Sequence, residues 1–189
     1  MNLPNGVTGF YSSIDNKPND IDENHFKNIC FNLVRKNHGK ILKTDEANLA
    51  TNFLKLKVDI FNREIYVLLN AHYPFLAFAS TVEFQHINFI DDLVLSKDFM
   101  PFYKVLSKEE LNEPLDIRKS KGEVSLENKN KLNSSELEQI FYWKPKTVGE
   151  VMFNFWDWPY EISFSYYKII SDKWFYVNYT CILCPARMK

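Results

Sequence analysis

Glycine is scarce. Five residues in 189 are glycine (Gly6, Gly9, Gly39, Gly122 and Gly149), and no two are adjacent. A dinucleotide-binding turn or a phosphate-cradling loop needs several glycines within a few residues, so that the backbone can approach the phosphates closely. P-loop nucleotide hydrolysis and classical nicotinamide chemistry are thereby excluded, and no cofactor is expected. An excess of charge of one sign is also missing: 23 Lys and Arg face 24 Asp and Glu, for a net charge of -1 and a pI near 6.4. Affinity for a polyphosphate backbone comes from clustered cations, so nucleic acid is not an expected partner. Gly6-Val7-Thr8-Gly9 has the spacing of an RNA-clamping loop but neither a preceding helix nor a basic flank, and reads as a turn.

Long apolar runs are absent as well. The longest, Ile65 to Leu69 and Pro74 to Ala79, fall far short of the roughly 20 residues that span a bilayer, so no membrane is expected. Met1-Asn2-Leu3-Pro4 shows no cationic region leading into an apolar stretch, so no secretory leader is expected either. The three cysteines, Cys30, Cys181 and Cys184, then read as reduced thiols, and the expected location is cytoplasmic.

What is present is an ordinary core-forming composition, 46% apolar and 25% charged, enough for a single globular domain over residues 1–189 without disulfide or metal. Residues 1–22 carry Pro4, Gly6, Gly9 and Pro18 and read as an irregular lead-in. Phe26, Ile29, Cys30, Leu33 and Val34 then recur at helical spacing, which predicts a helix over 23–38 with Asp22 at its start and Gly39 ending it left-handed. Leu54, Leu56, Val58 and Ile60 alternate with Lys55, Lys57 and Asp59, the pattern of a strand with one wet face. Asn62-Arg63 offers a turn into 65–69, which is apolar on both faces and therefore central. Strands over 75–80 and 83–90 complete an antiparallel meander.

Residues 107–133 hold six basic and six acidic side chains with few aliphatic anchors, and predict a solvated, mobile loop with one short helix after Ser107. Beyond it, Ser135 with Glu138 and Thr147 with Glu150 have the spacing of reciprocal helix caps. Val148, Val151, Met152, Phe155 and Trp156 form one apolar stripe of a helix over 148–156. Residues 162–166 and 174–176 alternate as a closing hairpin. The expected fold is α+β: a mainly antiparallel sheet of about six strands with three or four helices packed on it.

Three groupings carry candidate chemistry. His72 and His86, with Asp91 and Asp92 close behind, are the residues from which a hydrolase or metal site would be built, although no flanking motif supplies a nucleophile or a third orienting group. Cys181 and Cys184 have the spacing that puts two thiolates on one metal, but a structural zinc site needs four ligands and no second pair exists, so no metal is expected. Aromatic residues, 16% of the chain, are the clearest anomaly. Trp143, Phe153, Trp158 and Tyr160 fall off the buried stripe or at helix ends, and at least two of these four are expected to be exposed as a binding surface.

These features rank a non-catalytic protein-binding protein first, its partner another protein or a second copy of itself. An immunity protein that neutralises a toxin is one concrete form. The near-neutral charge speaks against complementing a cationic nuclease. A hydrolase or metal-dependent enzyme using His72 and His86 is the alternative.

Overall fold

The alternation at 54–60 becomes β2 (Phe53–Ile60) in a computed structural model that describes residues 1–12, 17–44, 51–84, 86–120 and 123–155. It pairs on one side with β1 (Lys40–Thr44) and on the other with β3 (Arg63–Asn70), which is followed by β4 (Phe75–Glu83) and β5 (His86–Ile90). All four pairings are antiparallel, and a two-residue β6 (Lys104–Val105) lies parallel to the start of β4. The described helices are α1 (Glu23–Lys36), α2 (Leu93–Phe99), α3 (Lys108–Leu111), α4 (Ser134–Trp143) and α5 (Val148–Met152). The expected α+β fold with a six-stranded, mainly antiparallel sheet is what the chain adopts. Two of the six described strands, β1 and β6, are not among those read from the sequence pattern, and the expected hairpin at 162–176 lies outside the described residues. β1 escapes a periodicity reading because it is a short edge strand, mostly exposed, and carries Lys40 and Lys43, the residue type that keeps an edge from pairing with another chain.

Alternate side chains of the sheet enter two separate cores. Leu54, Leu56, Val58 and Ile60 of β2, with Ile65, Val67 and Leu69 of β3 and Leu76 and Phe78 of β4, pack beneath α1 and α2. The opposite face sends Phe53, Leu68, Ala77, Ala79 and Phe89 against the N-terminal segment and α3 to α5. That segment is irregular, as expected, yet it is not peripheral: Leu3, Val7, Phe10 and Tyr11 are buried. It is held by a carboxylate that has no ion-pair partner among the described residues. Glu136, fully buried in the first turn of α4, accepts from the backbone N–H of Gly6 and Thr8, the hydroxyl of Thr8, and both N–H donors of Asn133. Five donors replace the water that a buried anion loses.

Several local expectations are corrected. α1 does begin at Asp22, whose side chain accepts from the amide of His25, but its left-handed residue is His38 (φ 57°) and not Gly39. Gly39 instead donates to the carbonyl of Val34, the one of the two bonds closing such a helix end that spans more residues. The turn after β2 uses Phe61 and Asn62, both with positive φ, one residue earlier than read from sequence. α4 is capped by Asn133 with Glu136, not by Ser135 with Glu138. α5 stops at Met152, because Asn154 and Phe155 turn back to pair with Asn52 and Thr51; Trp156 lies outside the described residues.

The charged stretch is the largest correction. Beyond α3, which starts at Ser107 as expected, residues 117–126 form a second, two-stranded sheet of β7 (Ile117–Ser120) and β8 (Glu123–Leu126). Leu126 of β8 is buried and joins the same core as α4. Alternation put Leu126 and Ile117 on the inner face, a signal that the six-against-six charge count hid.

Candidate functional site

The histidines do not converge. His72 precedes β4 and His86 pairs with Glu83 at its other end, so the length of that strand, about 25 Å at about 3.3 Å per residue, lies between them. His72 packs into the lead-in: Nδ1 stands 3.3 Å from the carbonyl of Asn19 and from Oδ1 of Asp20. A Cβ at Gly9, where φ is +86°, would come within 2.7 Å of Nε2. Burial lowers the pKa of this imidazole, with Asp20 partly opposing. His86 is exposed. Asp91 accepts from the amide of Lys108 at the start of α3, and Asp92 caps α2 through the amides of Val94 and Leu95 while pairing with Arg63 at 2.6 Å. His72, Asp91 and Asp92 each tie different segments of the chain together, and His86 stands a strand's length from His72. Among the described residues no group of three His, Cys, Asp or Glu side chains is placed to hold a metal ion. Cys30 is buried, which pushes its thiol far above the ordinary range; Cys181 and Cys184 lie outside the described residues.

The aromatic expectation is corrected at Phe153, which is 1% exposed. Its ring stands edge-on to Phe53 and tilted on Phe89, because the end of α5 turns the side chain inward over the sheet. Trp143 is half-buried at the end of α4, and Trp158 and Tyr160 lie outside the described residues. Trp143 and Phe153 do meet, in the wall of a cleft of about 240 Å³ that Phe89 and Phe155 also line, with Lys144, Lys146 and Glu150 among its polar residues. Glu150 is already engaged: its carboxylate accepts from the amide of Lys146 at 2.6 Å.

Five of the nine exposed large hydrophobic residues among the described residues lie on α2 or in the turns near it, the other four being Phe31, Leu42, Phe84 and Tyr142. α2 buries Leu95 and Phe99 against the sheet and turns Leu93 (78% exposed), Val94 and Met100 (62% exposed) outward; Phe102, in the turn that follows, is exposed too. The orientation is fixed from both ends. Asp92 caps the helix and binds Arg63, while Asp98 accepts from Lys36 and from the side-chain amide of Asn37 on α1, each at 2.7 Å. Those two hydrogen bonds hold the Asp98 carboxyl below its ordinary range. The Arg63–Asp92 pair also brings the β2–β3 turn, with the exposed Phe61, to the first turn of α2. Sequence reasoning passed over this surface. Its signal was Asp92 followed by Leu93, Val94 and Leu95, a cap ahead of an apolar run too wide for one buried face.

Among the described residues no helix is long and apolar enough to cross a membrane. Comparison with protein-family models, with curated proteins and with solved structures gave no match to this chain.

Proposed function

We propose that this chain is a cytoplasmic protein that works by binding another protein, without catalysis of its own. The observation that supports the reading is the exposure of five large apolar side chains at α2 and the turns near it: Leu93, Val94 and Met100, Phe102 just after the helix, and Phe61 in the turn that Arg63 ties to Asp92. Single exposed apolar residues are ordinary; a group of them on a helix fixed at both ends by ion pairs is the usual mark of a docking surface. A toxin-neutralising inhibitor is the narrowest form of this reading. With a net charge of -1, such a contact would rest on apolar burial more than on long-range attraction. The alternative enzyme loses its argument with the separation of His72 from His86.

The test is affinity capture from the source cell followed by reconstitution from purified components. A stoichiometric complex in sedimentation velocity is the expected result. A hydrolytic activity that persists through purification and disappears in His72→Ala and His86→Ala would overturn the reading.

A further inference from the structure

Leu93, Lys97 and Met100 stand at i, i+4 and i+7 of α2, so they form one stripe on its exposed side, with the lysine in the middle. Lys97 is exposed and has no hydrogen-bond or ion-pair partner among the described residues. The acidic neighbours on the same helix are engaged elsewhere, Asp92 with Arg63 and Asp98 with Lys36 and Asn37. The stripe therefore offers two apolar ends and one unanswered positive charge between them, over about 10 Å at about 1.5 Å per residue, the length of two helical turns.

That charge selects among occupants. In a symmetric dimer that sets Leu93 of one copy on Met100 of the other, the two-fold axis would pass midway between them, and the residue nearest the axis meets its own copy. Lys97 would face Lys97 in a partly desolvated contact, where like charges repel strongly. A partner that differs from this chain can place a carboxylate there instead.

Resting on the protein-binding reading above, we infer that α2 docks an amphipathic helix of another protein, one whose apolar face carries an Asp or Glu at its centre to meet Lys97 between Leu93 and Met100. A second observation lies at the hairpin tip that Arg63 ties to the capped end of α2. Phe61 is exposed while held at φ 54°, a left-handed conformation that strains a non-glycine residue. An aromatic ring kept at a strained hairpin tip, beside the capped end of α2, extends the apolar rim on which such a helix would lie.

The probe is a pair of stapled 15-residue helical peptides with leucines at i, i+3, i+4 and i+7, identical except for Glu or Lys at the centre of the apolar face. The full chain is titrated with each while its amide resonances are followed. The Glu peptide is expected to bind at least tenfold more tightly than the Lys peptide, with shifts confined to 93–102 and 61–62. Lys97→Glu should reverse the preference, and Leu93→Ser with Met100→Ser should abolish binding while the melting temperature stays within a few degrees. Equal binding of the two peptides, or binding of neither, overturns the inference. So does a wild-type dimer that Leu93→Ser dissociates, or protection of Leu93 and Met100 from footprinting reagents in the isolated monomer. A reconstituted partner complex that survives Leu93→Ser and Met100→Ser would sink this inference alone, whereas absence of any partner complex would remove the protein-binding reading beneath it.

Discussion

Asn52 and Asn70 donate their side-chain amides to the same acceptor, the carbonyl of Val7, at 3.3 and 3.0 Å. Each makes a second donation to α5, Asn52 to the carbonyl of Val151 and Asn70 to that of Met152. The two strands thereby clamp the N-terminal segment and the end of α5 onto one face of the sheet. Two buried amides satisfy backbone groups that an irregular chain and a short helix would otherwise leave unpaired.

Asn70→Asp should therefore be severe. The substitution puts a carboxylate oxygen where the amide nitrogen stood, facing two carbonyls, and an uncompensated buried charge costs about 3–5 kcal/mol. Protonation restores one donor, so the loss in urea melts should be smaller at pH 5 than at pH 7. Equal losses at the two pH values would show that the site admits water.

The burial of His72 gives stability a pH dependence with a definite sign. Its folded pKa lies below the unfolded value of about 6.5. The unfolded chain consequently binds the proton first. Stability from this group is complete above about pH 6.5 and falls as pH drops from there towards the folded pKa. Comparison of wild type with His72→Gln at pH 7.5, 6.5 and 5.5 isolates the slope; a slope unchanged by the substitution assigns it elsewhere.

Phe61 offers a gain. Asn is far better suited than Phe to the first position of a turn with positive φ at both residues. Phe61→Asn is expected to raise stability by about 0.5–1 kcal/mol, within the strain it relieves. In the peptide titration the same variant should bind more weakly. A stable variant with undiminished binding would separate Phe61 from the docking surface.

The β7–β8 hairpin should be the first described region to open, since two strands alone are marginal in water and it meets the core through the buried Leu126 and the partly buried Ile117. Leu126→Ala should speed amide exchange throughout 117–126 and leave the amides of α1 at their wild-type protection. Uniform loss across both regions would mean that the hairpin unfolds only with the whole domain.

Much of the sheet and the first helix was decided by local pattern. The period-two run of β2, the doubly apolar β3 and the three-and-four spacing of α1 each name a face without reference to the rest of the chain, because burial on one side is a property of a single element. Asp22 could be read as a cap for the same reason: its partner is three residues away. What the tertiary structure alone decided depends on residues far apart in sequence. Glu136 serves as an anchor only once Gly6 and Thr8 arrive from 130 and 128 positions away. Phe153 is internal because Phe53 and Phe89 cover it. The histidines are separated by β4, which runs on to Glu83, past the end at residue 80 that the local pattern marked. α2 shows the division most plainly: its apolar residues are visible in the sequence, but the half that faces solvent is chosen by Arg63, Lys36 and Asn37, which hold the helix from two other elements. Hydrophobic pattern is local, whereas which apolar face remains uncovered is a property of the assembled chain.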